Sequence, residues 1–142
     1  MKRIIYGFFI LSAIGRADEH TDRNAIQNVV EALNTDGRSV DGKEQLPTLF
    51  TADADNELAR LSDLDKQLTS HNTPWSEVTK PRIVVRSIRF ITADVALVDA
   101  VNTQYGSTIL VRRIPVLVVM RREATGWRIA SFRVMVDVMK LP

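Results

Sequence analysis

Few side chains in this chain of 142 residues are equipped for chemistry, and they are scattered. Histidine is the residue whose ordinary pKa lies nearest neutral, and there are two, His20 and His71. His71 follows a leucine-rich helical segment, where it could serve as a general base or end the helix as a surface charge. Asp99 stands in the stretch VALVDAVNTQY. Strand alternation puts it on one face with Val95, Leu97, Val101 and Tyr105. A carboxylate among apolar neighbours is costly unless paired or protonated. Asp99 is therefore either an acid–base catalyst of raised pKa or half of a structural pair with an arginine on a neighbouring strand. Tyr105 could offer its hydroxyl to a site beside Asp99 or sit at its rim. Trp75 could lid such a site or be an ordinary hydrophobic plug. Asp99, Tyr105 and His71 are thus the catalytic candidates, and proton transfer is the chemistry they would share.

Other chemistries find little footing. Asp53, Asp55 and Glu57 are closely spaced acids with no histidine at ligand spacing, so no metal centre is expected. Gly42-Lys43 lacks the preceding glycine and the following hydroxyl of a phosphate loop. No Ser-His-Asp or Cys-His set can be assembled, the chain having no cysteine. Nothing in the chain implies a cofactor.

These candidates need a scaffold, and the N-terminus is set apart from it. MKR is followed by a twelve-residue apolar run, Ile4–Gly15, and then by Arg16-Ala17. A positive start, an apolar centre and small residues at the two positions a signal peptidase reads predict a signal peptide over residues 1–17, cleaved after Ala17. A buried first helix or strand is the other reading. The run is too short to span a bilayer as a helix, so no membrane partner is expected. The domain is then residues 18–142, secreted or periplasmic. Loss of Lys2, Arg3 and Arg16 takes the formal charge from +2 to −1, and the basic pI ceases to argue for nucleic acid. The remaining charge is uneven: Asp18–Glu77 carries 13 acids and 5 bases, Lys80–Pro142 4 acids and 11 bases. Opposite charge can help two layers dock, or a basic sheet can line an anion site.

Ala25, Ile26, Val29, Val30 and Leu33 recur at helical spacing, with Thr21 or Asp22 as cap and Asn34 with Asp36-Gly37 as stop. Asp41 and Glu44 resemble a capping box before a short helix carrying Leu46, Leu49 and Phe50, with Pro47 in its first turn. Leu58, Leu61, Leu64 and Leu68 mark a third helix, predicted from Ser62 to His71. After Pro81 come four Val- and Ile-rich runs, separated by turns at Thr92–Asp94, Gly106-Ser107 and Thr125-Gly126. Short connections imply antiparallel neighbours, so the architecture predicted is α+β, helices packed on a four-stranded meander. Pro115–Met120 is apolar on both faces. Helices can cover one face, and a second copy of the chain the other, which predicts a homodimer through the sheet.

Three segments resemble the SnoaL-like, or NTF2-like, superfamily: NVVEALNTDG, LPTLFTADAD and VVMRREATGWRIASFR. The shared pattern is a helix ending in Leu-Asn before a glycine turn, then Leu-Phe-x-x-Asp-Ala, then an arginine-rich strand, a turn and Trp-Arg-Ile. The resemblance covers about residues 20–136. It implies a cone-shaped α+β barrel, N-terminal helices packed on a curved antiparallel four-stranded meander, with a cavity opening at one end. Members include ketosteroid isomerases, polyketide cyclases and dehydratases. The isomerases use a carboxylate base with a tyrosine and a protonated carboxylic acid as donors. That tyrosine falls here on Val29 and that base on Leu58, neither of which can move a proton, so the isomerase chemistry is not expected. The resemblance also implies that Trp127 and Ile129 pack the sheet onto the helices. A two-residue period would then aim Ser131 and Arg133 along the same face, as ligand-binding residues with Trp75. The function expected is an exported domain binding a small, mostly apolar molecule, with Arg133 meeting any anionic group on it. A cyclase, dehydratase or isomerase acting through Asp99 is one alternative, and a protein–protein interaction module is another.

Overall fold

The computed structural model describes residues 2–35, 46–70, 81–106 and 109–135. The elements are α1 (Lys2–Thr35), α2 (Leu46–Leu49), β1 (Phe50–Asn56), α3 (Leu58–Ser70), β2 (Arg82–Thr92), β3 (Val95–Gly106), β4 (Ile109–Glu123) and β5 (Gly126–Val134). The strands form one sheet in the order β1-β5-β4-β3-β2. The four expected strands make an antiparallel meander. A fifth, β1, lies parallel to β5 and makes the sheet mixed. The segment FTADADN has little intrinsic strand preference, and no strand was expected there. Pairing of Phe50 with Ile129 overrides that preference.

One face of the sheet carries the core. Ala96, Val98 and Ala100 on β3 and Val116, Val118 and Met120 on β4 are all buried there. Helix α1 supplies Ile26, Val30 and Leu33, each no more than 1% exposed. Burying such a side chain stabilises the fold by about 2 kcal/mol. The helix runs unbroken through Thr21 and Asp22, so neither caps it. Asp22 reaches across to the sheet instead. No helix among the described residues is long and apolar enough to cross a membrane.

At the other end of α1, Asn34 does more than mark the stop. Its Nδ2 donates to the Ile83 carbonyl at 2.9 Å, and its Oδ1 accepts from the Ile83 N–H at 2.7 Å. Arg23 donates to the Ile88 carbonyl at 2.8 Å. The free edge of β2 is thus covered at two points by side chains of α1, which discourages pairing with another strand.

Helix α3 begins at Leu58 rather than Ser62 because Asn56 caps it, its Oδ1 accepting the Leu58 N–H at 2.8 Å. Pro47 is the second residue of the single-turn α2, where its missing N–H costs nothing. The Asp41–Glu44 box and the end of the third helix at His71 lie outside the described residues. The β4–β5 turn closes on Gly126 at φ +127°, a backbone region that favours glycine.

The pairing of β4 with β5 contains a bulge. Val119 faces Ser131 while Met120 faces Ile129, leaving Ala130 as the extra residue. One extra residue reverses the alternation beyond it. Trp127 and Ile129 are buried on the inner side, and past the bulge Phe132 and Val134 are buried there in turn. Ser131 and Arg133 are thereby turned to the outer face, against the strict two-residue period that aimed them inward.

Candidate functional site

The outer face of the sheet receives most of the candidates. Asp99 is exposed there, opposite Ser87 and Leu117, and accepts a 3.0 Å hydrogen bond from Ser87 Oγ. It does share a face with Val95, Leu97 and Val101, but that face points away from the helices. The stretch VALVDAV is apolar at both phases, so alternation alone left its inward side undecided. Tyr105 continues β3 opposite Leu110, just past a register shift. His71 and Trp75 lie outside the described residues. No catalytic set forms around Asp99 among the described residues, and its partner is a hydroxyl rather than an arginine.

Arg133 is likewise committed. It pairs with Asp55 and, at 3.4 Å, with Glu57. The Glu57 carboxylate accepts the Val134 N–H at 2.8 Å, while its backbone N–H donates to the Phe132 carbonyl at 2.9 Å. That hydrogen bond from Val134, reinforced by the charges of Arg60 and Arg133, holds the Glu57 carboxyl below its ordinary pKa despite the partial burial that opposes it. Arg121 grips Asp53 with two N–H groups, the shorter contact 2.9 Å, and this hydrogen bonding is the main cause of the lowered Asp53 pKa. Among the described residues no group of three acids or histidines is arranged to hold a metal ion.

The ion pairs explain the uneven charge. Asp22–Arg122, Glu31–Arg82, Asp53–Arg121 and Asp55–Arg133 each join the acidic half of the chain to the basic half. Asp22 is the most enclosed of these acids, its side chain 13% exposed. Burial pushes its carboxyl up, but hydrogen bonds from Arg122 and Trp127 outweigh it and hold the pKa below the ordinary value. Two of these pairs tie α1 to the sheet and two tie β1 to β4 and β5, and the named arginines are occupied by those tasks.

On the inner face the alternation of β3 changes chemistry. After Ala96, Val98 and Ala100 come Asn102 and Gln104, 2% and 3% exposed. Asn102 Nδ2 donates to Asp65 Oδ1 of α3 at 3.0 Å. Gln104 Oε1 is buried with no hydrogen-bond partner among the described residues. A buried amide oxygen left unpaired costs about 1–3 kcal/mol, and such groups are normally satisfied by protein, water or ligand. The signal was present in VNTQY, two amides spaced two apart. The lone carboxylate of Asp99 marks the opposite phase as the polar one.

An open crevice of about 320 Å³ runs between α1 and the edge of β2. Its charged walls, Glu31 and Arg82, pair with each other at 2.7 Å. The inner end of β3 is the better candidate because it holds an unsatisfied amide oxygen.

No family model and no curated protein matches the chain. Among solved structures it is similar to a domain of unknown function with a cystatin-like fold from Nostoc punctiforme. The two are 19% identical, over 87% of this chain and 81% of that one, with a TM-score of 0.50. At that identity the likeness speaks for the fold alone: the chain has a cystatin-like α+β fold.

Proposed function

We propose that this chain is an exported NTF2-like domain that binds a small, mostly apolar molecule between its helices and the inner face of its sheet. The cystatin-like fold is the class to which NTF2-like domains belong, which supports the cone described by the sequence resemblance. The observation that carries the reading is Gln104, whose buried Oε1 has no hydrogen-bond partner among the described residues and which lies beside Asn102 at the end of an otherwise apolar inner face. A bound molecule would bury its apolar body against that face and its polar group against the amides. No reaction is assigned, because Asp99 stands on the other side of the sheet. The positive, apolar N-terminus supports export with cleavage after Ala17.

The outer face supports the homodimer. Leu97, Val101, Leu117 and Val119 are only half-buried there, and Val84 is 40% exposed. A second copy would cover these side chains, and neither nucleic acid nor membrane is needed as a partner.

The test is solvent extraction of the protein purified from its host, with mass spectrometry of what is released. The expected result is a small molecule near one equivalent per chain, or a saturable site for an apolar fluorescent dye where the native molecule has washed out. Finding neither would defeat the reading. Intact mass of the exported protein should match a chain starting at Asp18.

A further inference from the structure

We infer that the homodimer closes on the outer row Val84–Val101–Pro115, with Asp99 of each copy meeting Arg113 of the partner subunit. This rests on the homodimer proposed above and deepens it, naming the contact that fixes its register. The pairing of β2, β3 and β4 sets Val84, Val101 and Pro115 side by side. Ala100 and Asn102, the chain neighbours of Val101, are buried inside, so the row lies on the outer face. Val84 is 40% exposed, and Pro115 is exposed with it. The rows on either side carry opposite charge. Two residues along β3 in one direction stands Asp99, exposed, held by Ser87 and by no arginine. Two residues in the other direction, Thr103 lies opposite Arg113 of β4. Arg113 is exposed and pairs with no acid among the described residues. Arg82, at the edge of the same row, is taken by Glu31 at 2.7 Å.

Such a face is complementary to itself. A twofold axis along the apolar row lays Val84, Val101 and Pro115 on their own counterparts. It also carries the Asp99 row onto the Thr103–Arg113 row, because both lie two residues from the axis. Asp99 then stands over Thr103 of the partner subunit, one strand spacing, about 5 Å, from Arg113 of the partner subunit. Stacked sheets lie about 10 Å apart, a gap that an arginine and an aspartate close from opposite sides. Moving the axis by one row either way would set Asp99 or Arg113 against its own copy, which like charge opposes.

The experiment measures the dimer dissociation constant of the exported protein by analytical ultracentrifugation. Asp99→Arg and Arg113→Asp each set like charges together at both contacts and should raise it by about tenfold or more. An equimolar mixture of the two variants should form a heterodimer about as tight as the wild type, since each copy supplies the charge the other lacks. A chain carrying both Asp99→Arg and Arg113→Asp should dimerise likewise, with the charges exchanged. Both side chains are exposed, so circular dichroism of every variant should stay native. If a single variant fails to fold, the doubly substituted chain decides alone. A dimeric wild type whose single variants keep its affinity, or whose loss the exchanged charges do not restore, overturns this register and leaves the dimer standing. A monomeric wild type removes the dimer and this inference with it.

Discussion

The indole N–H of Trp127 donates to Asp22 Oδ1 across 3.0 Å, tying α1 to the β4–β5 hairpin. Arg122 engages the other carboxylate oxygen and stacks its guanidinium 4.7 Å above the indole ring. Phe90 meets Trp127 edge-on at 5.9 Å, and Arg23 lies 5.2 Å over Phe90. Asp22 therefore holds the keystone of a small aromatic and charged cluster, although its place in the sequence marked it as a helix cap. Arg122 is 38% exposed, so its ion pair alone is worth little. The larger loss in Asp22→Ala is the Trp127 N–H, left unpaired in a residue only 6% exposed. Asp22→Ala should cost about 2–3 kcal/mol by urea denaturation, and Asp22→Asn about half as much, because the amide oxygen can still accept from the indole.

Acid should destabilise the fold through a small set of carboxylates. Asp22, Asp53 and Glu57 all have pKa values lowered in the folded chain. Their contribution is fully present above the unfolded values, near about 4, and is lost as pH falls through the lower folded values. The thermal midpoint should therefore hold steady from neutral pH to about 5 and drop below about 4. Asp22→Asn should flatten that drop, since one of the three protonations is removed. A midpoint that rises on acidification below about pH 4 would contradict the assignment of these three groups.

How much of this was legible depends on whether one phase of each pattern was excluded. The stripe of α1 and the four meander strands were readable because their apolar positions recur at one period with turn residues between. The inner side of β3 was not, since apolar residues occupy both phases on either side of Asp99. Asn102 and Gln104, buried amides on the phase opposite Asp99, are the discriminator, and a lone carboxylate outweighs them in the pattern. β1 is held by Phe50 and by arginines far along the chain, and nothing in TADAD announces them. The bulge at Ala130 has no local mark either, yet it decides which way Ser131 and Arg133 face. Such a reversal comes from cross-strand register, which alternation within one strand cannot express.

Asn34 offers a cleaner test of a side chain acting as backbone. Its amide satisfies both the N–H and the carbonyl of Ile83, so one substitution frees two groups on the edge of β2. Asn34→Ala should cost about 2 kcal/mol. The sharper readout is amide hydrogen exchange at Ile83, which should accelerate by roughly tenfold to a hundredfold as that edge opens. Amides on β4, inside the sheet, should change only by the global loss of stability. Equal acceleration across all strands would mean that Asn34 supports the fold generally and does not seal this edge.

The outer face makes the dimer testable without disturbing the inner one. Leu117 and Val118 are neighbours on β4 with opposite fates: Val118 is fully buried under the helices, while Leu117 is half-buried on the outer side. A stable dimer buries about 800 Å² per partner, and a charge at the centre of such a patch removes it without an internal cost. Leu117→Lys should therefore convert a dimer to a monomer in size-exclusion chromatography with light scattering, while its circular dichroism stays native. Val118→Lys should instead unfold the chain, because it places an unpaired charge in the core. Wild-type protein that is monomeric at micromolar concentration would remove the dimer. The half-buried leucines and valines of the outer face would then be ordinary surface, which monomeric proteins tolerate when the patch is small.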